Sequence, residues 1–173
     1  SNLSSSRALR DIAQKHGVQY AASAVGEVNV VAKMKEVNAI IGGEGNGGII
    51  FPELHYGRDA LVGVALFLSL LTDKNITVSA LRKSYPAYYM SKNKIELSAG
   101  LNPDKVWAAV KERYAHEPIT TIDGVKIDFA NSWVHLRKSN PEPIIRIYTE
   151  AKSQVEADAL AQRFLEEIKE LAN

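Results

Sequence analysis

Residues 133–148 read Trp-Val-His-Leu-Arg-Lys-Ser-Asn-Pro-Glu-Pro-Ile-Ile-Arg-Ile-Tyr. Two strand-like runs, Trp133–Leu136 and Ile144–Tyr148, flank a polar loop that begins at Arg137. Strand, short loop and strand predict an antiparallel pair, and the neighbouring segments extend it. Tyr88–Leu97 alternates Ile95 and Leu97 against Lys94 and Glu96, the period of a half-buried strand. Ile119–Phe129 is a further strand candidate and carries Asp123-Gly124, a hairpin-turn dipeptide. Asn102-Pro103-Asp104 opens a helix through Tyr114, with Asn102 as N-cap and Pro103 in the first helical position. Ser153 and Glu156 have capping-box spacing ahead of a helix whose apolar stripe is Ala157, Leu160, Ala161, Phe164, Leu165 and Ile168. Residues 86–173 therefore predict an α+β domain, an antiparallel four-stranded sheet with helices on one face.

The first half has another rhythm. Ser4-Ser5-Ser6 can cap a helix over Arg7–His16, which Gly17 ends. Val18–Ser23 reads as a strand, Val28–Glu36 as a helix, and Ala39–Ile41 as the start of a buried strand. Arg58–Leu71 is a long apolar helix, and Ser79–Lys83 adds a helical turn before Pro86. Alternating strands and helices predict a layered α/β domain with a parallel sheet over residues 1–85. It begins at a helix, so a strand expected ahead of that helix is missing and the domain reads as partial.

Composition excludes several classes. Of 173 residues 46% are hydrophobic and 24% charged, an ordinary globular balance. A net charge of +1 gives no electrostatic case for nucleic acid, which usually needs a basic face. The absence of cysteine rules out disulfides and thiolate metal sites and fits a reducing, cytoplasmic setting. The most apolar stretch, Ala60–Leu71, is too short to span a bilayer, so no membrane partner is expected. His16, His55, His116 and His135 lack paired ligand spacing, and no carboxylate cluster suits a divalent metal.

Two loops concentrate chemistry. In the first, Arg137, Lys138, Ser139 and Asn140 bring a guanidinium fork, an ammonium, a hydroxyl and an amide into one turn, a set that suits a phosphate. An ordinary polar hairpin loop is the alternative. The second, Gly42–Gly48, has five glycines in seven residues directly after a strand. Without Cβ atoms a ligand can approach such a backbone closely. Its Glu44 offers two acceptor oxygens, suited to neighbouring sugar hydroxyls, and Asn46 offers both a donor and an acceptor. An acidic loop favours a polyol over a phosphate. Ile49-Ile50-Phe51 continues as a strand where a dinucleotide fingerprint needs a helix, and no Gly-Lys-Ser/Thr is present for a P-loop. Glu27, in a turn before a helix, is either a favourable charge at a helix start or a ligand contact. Arg58 and Asp59 read as the start and cap of their helix.

The ordered pair of loops resembles the α-D-phosphohexomutase superfamily, above all its phosphoglucosamine mutases and phosphoglucomutase/phosphomannomutases. The resemblance rests on Ile41–Val62 (IGGEGNGGIIFPELHYGRDALV) and Val134–Ala151 (VHLRKSNPEPIIRIYTEA). It implies that residues 1–85 are the end of the family's third, sugar-recognising domain and residues 86–173 its fourth, phosphate-binding domain. Glu44, with Asn46 and Glu27, would meet the sugar; Arg137, Ser139 and Asn140, with Lys138, would grip the phosphate. The family's phosphoserine and its magnesium-binding DGDGDR-like loop are absent here. No catalytic residue and no metal ligand is therefore expected in this chain, and magnesium and the other domains would belong to the parent enzyme. The implied reaction interconverts hexose 6-phosphate and 1-phosphate, with glucosamine phosphate favoured; a non-catalytic sugar-phosphate module is the alternative. Pro141 stands where the family commonly has Thr, which removes a hydroxyl and a backbone donor.

Overall fold

The computed structural model describes residues 1–96, 102–139 and 142–171. The chain divides into two compact units, Ser1–Ala87 and Tyr88–Asn173.

The first unit contains α1 (Ala8–Lys15), α2 (Glu27–Glu36), β1 (Gly42–Gly43), β2 (Ile49–Ile50), α3 (Ala60–Lys74) and α4 (Val78–Ser84). The local capping signals hold. Ser6 Oγ accepts from the Ala8 N–H at 3.2 Å, and the Asp59 carboxylate accepts from the Val62 N–H at 3.0 Å at the start of α3. That bond, followed by one to His55, holds the Asp59 carboxyl below the ordinary carboxylate range. A small core forms where Val30 and Met34 of α2 meet Ile50 of β2.

The parallel sheet expected in this unit is reduced to a single bridge. Val18–Ser23 contributes only Ser23, which pairs in parallel with Asn2. Its carbonyl accepts from the Leu3 N–H at 2.9 Å, and its N–H donates to Ser1 O at 3.0 Å. Ala39–Ile41 is not a buried strand: Ile40 is 79% exposed and Ile41 50%. The ladder starts one residue later, and β1 pairs antiparallel with β2, Gly42 opposite Ile50. A parallel strand needs paired neighbours and cover on both faces; among the described residues this unit offers neither. The same lack leaves α3 without a buried residue. Leu61, Val64, Phe67 and Leu68 of this apolar helix are all exposed. Among the described residues no single helix is long and apolar enough to cross a membrane.

The second unit contains β3 (Tyr89–Glu96), α5 (Pro103–Arg113), β4 (Ile119–Thr120), β5 (Val125–Asp128), β6 (Trp133–Lys138), β7 (Ile144–Ala151) and α6 (Gln154–Leu171). Its strands form one sheet in the order β3-β7-β6-β5-β4, antiparallel throughout. The sheet has five strands where four were expected. The reason is local: Ile119–Phe129 folds back on itself at Asp123-Gly124, and Ile119 pairs with Ile127. Gly124 has φ +73°, and a Cβ there would overlap the Leu136 carbonyl oxygen, so the turn requires glycine.

Alternation along the strands sorts the two faces. Val125, Ile127, Val134, Leu136, Ile145 and Ile147 point to one side, where they pack with Val106 and Val110 of α5 and Phe164 and Ile168 of α6. The predicted α6 stripe is buried at Ala157, Ala161, Phe164 and Ile168, with Leu160 and Leu165 at its margins. Asn102 caps α5, accepting from the Asp104 N–H at 2.9 Å. Glu167 is buried on α6 but compensated, with the Tyr114 hydroxyl at 2.8 Å and Arg113 at 2.7 Å. Burying the α5–α6 face leaves Trp133, His135, Arg137 and Ser139 on the opposite side, and that side carries the polar loop.

Candidate functional site

The glycine-rich loop of the first unit is a tight connection between β1 and β2. The Glu44 N–H donates to the Gly48 carbonyl and the Gly47 N–H to the Glu44 carbonyl, both at 3.0 Å. A Cβ on Gly43 would fall on the Gly48 carbonyl oxygen, so this closure excludes any larger residue. The carboxylate of Glu44 is not free to swing: its Oε1 accepts from Asn2 Nδ2 at 2.8 Å and from the Gly26 N–H at 3.2 Å. Asn46 Oδ1 turns back onto the Gly48 N–H at 3.2 Å, which leaves its amide NH₂ for other partners.

Glu27 begins α2 and reaches Arg58. Its Oε2 lies 2.7 Å from Arg58 Nε, and its Oε1 accepts from the Arg58 N–H at 3.3 Å. Glu27, Asn46, Gly48, Arg58 and Asp59 line one open recess of about 790 Å³. The structure thus brings Glu27 and Asn46 to a shared recess, whose lining does not include Glu44; that carboxylate is bonded instead to Asn2 and Gly26. The sequence marks Arg58 only as a helix start. Its place in the recess follows from its pairing with Glu27, a contact over 31 positions that no local pattern carries.

In the second unit β6 and β7 deliver the other loop. Arg137 and Arg146 are cross-strand partners in the β6–β7 ladder. Like charges at opposed positions repel unless something between them carries the opposite sign. Arg146 is partly compensated: its Nη2 donates to Glu142 Oε2 at 2.9 Å and to Ser139 Oγ at 3.3 Å. Arg137 is not, since its Nε is buried and has no hydrogen-bond acceptor among the described residues. A buried guanidinium N–H left without an acceptor is costly, and an anionic ligand would satisfy it. Ser139 is held in the turn by its N–H, which donates to the Ile144 carbonyl at 3.0 Å.

Lys138 follows Arg137 and so points to the opposite face of the strand. Its Nζ meets exposed Asp104 at the start of α5, 3.1 Å away. The structure therefore joins Arg137, Ser139 and Arg146 on one face and does not bring Lys138 to them. Asn140 and Pro141 lie outside the described residues. Sequence reasoning misses Arg146 because it sits inside a strand run. The signal that could have found it is parity: Ser139, Arg137 and Arg146 share a face once the register is known.

Both units match domains of one known family. Residues 1–89 match phosphoglucomutase/phosphomannomutase, alpha/beta/alpha domain III, and residues 95–167 match the phosphoglucomutase/phosphomannomutase C-terminal domain. The chain belongs to this family. It is 37% identical to a phosphoglucosamine/phosphogalactosamine mutase of Sulfurisphaera tokodaii over 91% of this chain and 35% of that protein. It is 36% identical to a phosphoglucomutase/phosphomannomutase of Thermococcus kodakarensis over 90% of this chain and 34% of that protein. A crystal structure of a phosphoglucomutase/phosphomannomutase family protein from Burkholderia thailandensis shares the fold, with a TM-score of 0.80 at 24% identity over 99% of this chain and 36% of the other. This phosphohexomutase chain thus spans about a third of the length of the relatives it matches.

Relatives of these names catalyse isomerisation, and magnesium is the metal that the family resemblance implies. Among the described residues no group of three or more His, Asp or Glu side chains is gathered where a metal could bind. These residues do not build the oxygen-rich donor set that magnesium needs.

Proposed function

We propose that this chain supplies the sugar-recognition and phosphate-binding parts of a phosphohexomutase that interconverts hexose 6-phosphate and 1-phosphate. Glucosamine phosphate is the preferred substrate. The carrying observation is the buried Nε of Arg137, without an acceptor among the described residues, directly across from Arg146, with Ser139 bonded to Arg146. A phosphate group answers that arrangement with oxygens for both guanidinium forks and the hydroxyl. Arg137, Ser139 and Arg146, with Asn140 beside them in sequence, are the proposed phosphate grip; Glu44, with Asn46 and Glu27, is the proposed sugar side. Lys138 contributes charge at most, since its head turns to Asp104.

Phosphoryl transfer depends mainly on placement and charge stabilisation, and these residues act as positioners in it. In this reading Glu44 accepts from sugar hydroxyls, and the guanidinium pair takes a phosphate group. The exposed apolar side of α3 supports a parent enzyme whose remaining domains cover it. The absence of cysteine, with a charged sugar-phosphate substrate, favours the cytoplasm.

Calorimetry with glucosamine, glucose and mannose 6-phosphates tests the reading. Binding tighter than that of orthophosphate, strongest for the amino sugar, is expected. Affinity for none of them above orthophosphate would overturn it. A second reading, preference for glucose or mannose phosphate, is favoured by the likeness to the Thermococcus kodakarensis protein, and the same titration separates the two. The chain alone is expected to show no turnover in a coupled mutase assay.

A further inference from the structure

Resting on the reading of Glu44 as a sugar contact, we infer that Asn2 is a positioning residue for sugar recognition. It fixes the Glu44 carboxylate so that Oε2 alone is left to accept from a ligand hydroxyl. Asn2 is only 5% exposed, and every polar atom of its side chain is committed. Its Oδ1 accepts from the Ser4 N–H at 3.0 Å and from Ser5 Oγ at 3.2 Å. The first of these donors is a backbone N–H, so the oxygen must face it and Nδ2 must face Glu44.

Glu44 Oε1 then receives two donors from two separate segments, Asn2 Nδ2 at 2.8 Å and the Gly26 N–H at 3.2 Å. Two donors occupy the lone pairs of one carboxylate oxygen. Among the described residues nothing donates to Oε2. The loop itself rests on the same turn, since a Cβ added to Gly45 would meet Ser5 at 3.3 Å. Asn2 is in turn held by its parallel bridge to Ser23. A glutamate side chain ordered in advance loses less freedom when a ligand arrives, which improves affinity without a new contact. It also narrows recognition: hydroxyls reach Glu44 through one oxygen, not through one oxygen each.

The test is a cycle of Asn2→Ala, Glu44→Ala and the double variant, each titrated with glucosamine 6-phosphate and with orthophosphate. Asn2→Ala is expected to weaken sugar-phosphate binding about fivefold, the range of one hydrogen bond, and to leave orthophosphate binding unchanged. In the Glu44→Ala background the same change should cost nothing, because Asn2 acts through Glu44. Asn2→Asp keeps the acceptor for Ser4 and Ser5 but sets a carboxylate against Glu44. It should lose more than Asn2→Ala at neutral pH and recover as the pH falls and the two carboxylates share a proton. An equal loss in both backgrounds, or a loss of orthophosphate binding, would show a merely structural residue and overturn the inference. If Glu44→Ala leaves sugar-phosphate affinity unchanged, the sugar reading of Glu44 itself fails, and the role of Asn2 with it.

Discussion

Arg137 and Arg146 face each other across the β6–β7 ladder, with one carboxylate, Glu142, bonded to Arg146 and no acceptor among the described residues for the buried Nε of Arg137. Two cations and one anion at one turn leave an excess positive charge. In the proposed reading an anion completes this arrangement.

Arg137 and Lys138 should therefore differ, although they are neighbours of the same charge. Arg137→Ala removes the guanidinium whose buried Nε has no acceptor among the described residues, and it is expected to weaken sugar-phosphate binding about tenfold or more, at roughly 1.5–3 kcal/mol for a hydrogen bond to a charged group. Lys138→Ala breaks only an exposed pair with Asp104 and should stay within about twofold. Equal losses by calorimetry would remove Arg137 as the principal anchor.

If Arg146 belongs to the phosphate grip as proposed, Glu142 competes with the phosphate for its guanidinium. Glu142→Gln should therefore raise orthophosphate affinity by a few fold, about 1 kcal/mol, and steepen its decline with added salt. Weaker phosphate binding in this variant would show that Glu142 orders the loop and does not compete with ligand.

His135 gives the second unit a pH dependence. Burial pushes its imidazole down from 6.5 to about 4, against the opposing hydrogen bond to the Asp123 carbonyl. That bond, at 2.7 Å, has Nε2–H as donor because a carbonyl can only accept. The unfolded chain binds a proton near 6.5 and the folded chain only near 4, so stability is complete above pH 6.5 and declines as the pH falls toward 4. The full difference is worth about 3 kcal/mol. Denaturant melts from neutral pH down toward the folded-state value should trace the loss, and His135→Gln should flatten it over that range. An unchanged slope in the variant would assign the loss to other groups.

Gly43→Ala places a methyl on the Gly48 carbonyl that closes the glycine-rich loop. Forcing an extra carbon into such a contact costs about 1–3 kcal/mol. Thermal melts should show that loss. Titrations should show weaker sugar-phosphate binding with orthophosphate binding kept. Wild-type values in both would mean that the loop closure is not needed.

Several elements were legible because their determinants are local. Asn102-Pro103 starts α5, Asp59 caps α3, and the stripe Ala157, Ala161, Phe164 and Ile168 lies along one side of α6. Each depends on residues within a turn or two of one another. Asp123-Gly124 was legible as a turn, and its full consequence is the fifth strand. The first unit was harder to read. Ile40 and Ile41 look like a buried strand by composition, but a strand is defined by its partner, and no neighbour among the described residues pairs with them.

The site divides along the same line. By itself the sequence determined which residue types gather in each loop, a guanidinium with a hydroxyl and an amide in one, an acid among glycines in the other. It determined the strand-loop-strand setting as well, since turn chemistry and alternation are short-range properties. Only the tertiary structure decided which cation shares a face with Arg137. The β6–β7 register places Arg146 opposite it, and strand parity turns Lys138 away to Asp104. Only the fold could bring Asn2 to Glu44 across 42 positions, because hydrogen bonds between distant segments depend on packing that no local pattern records.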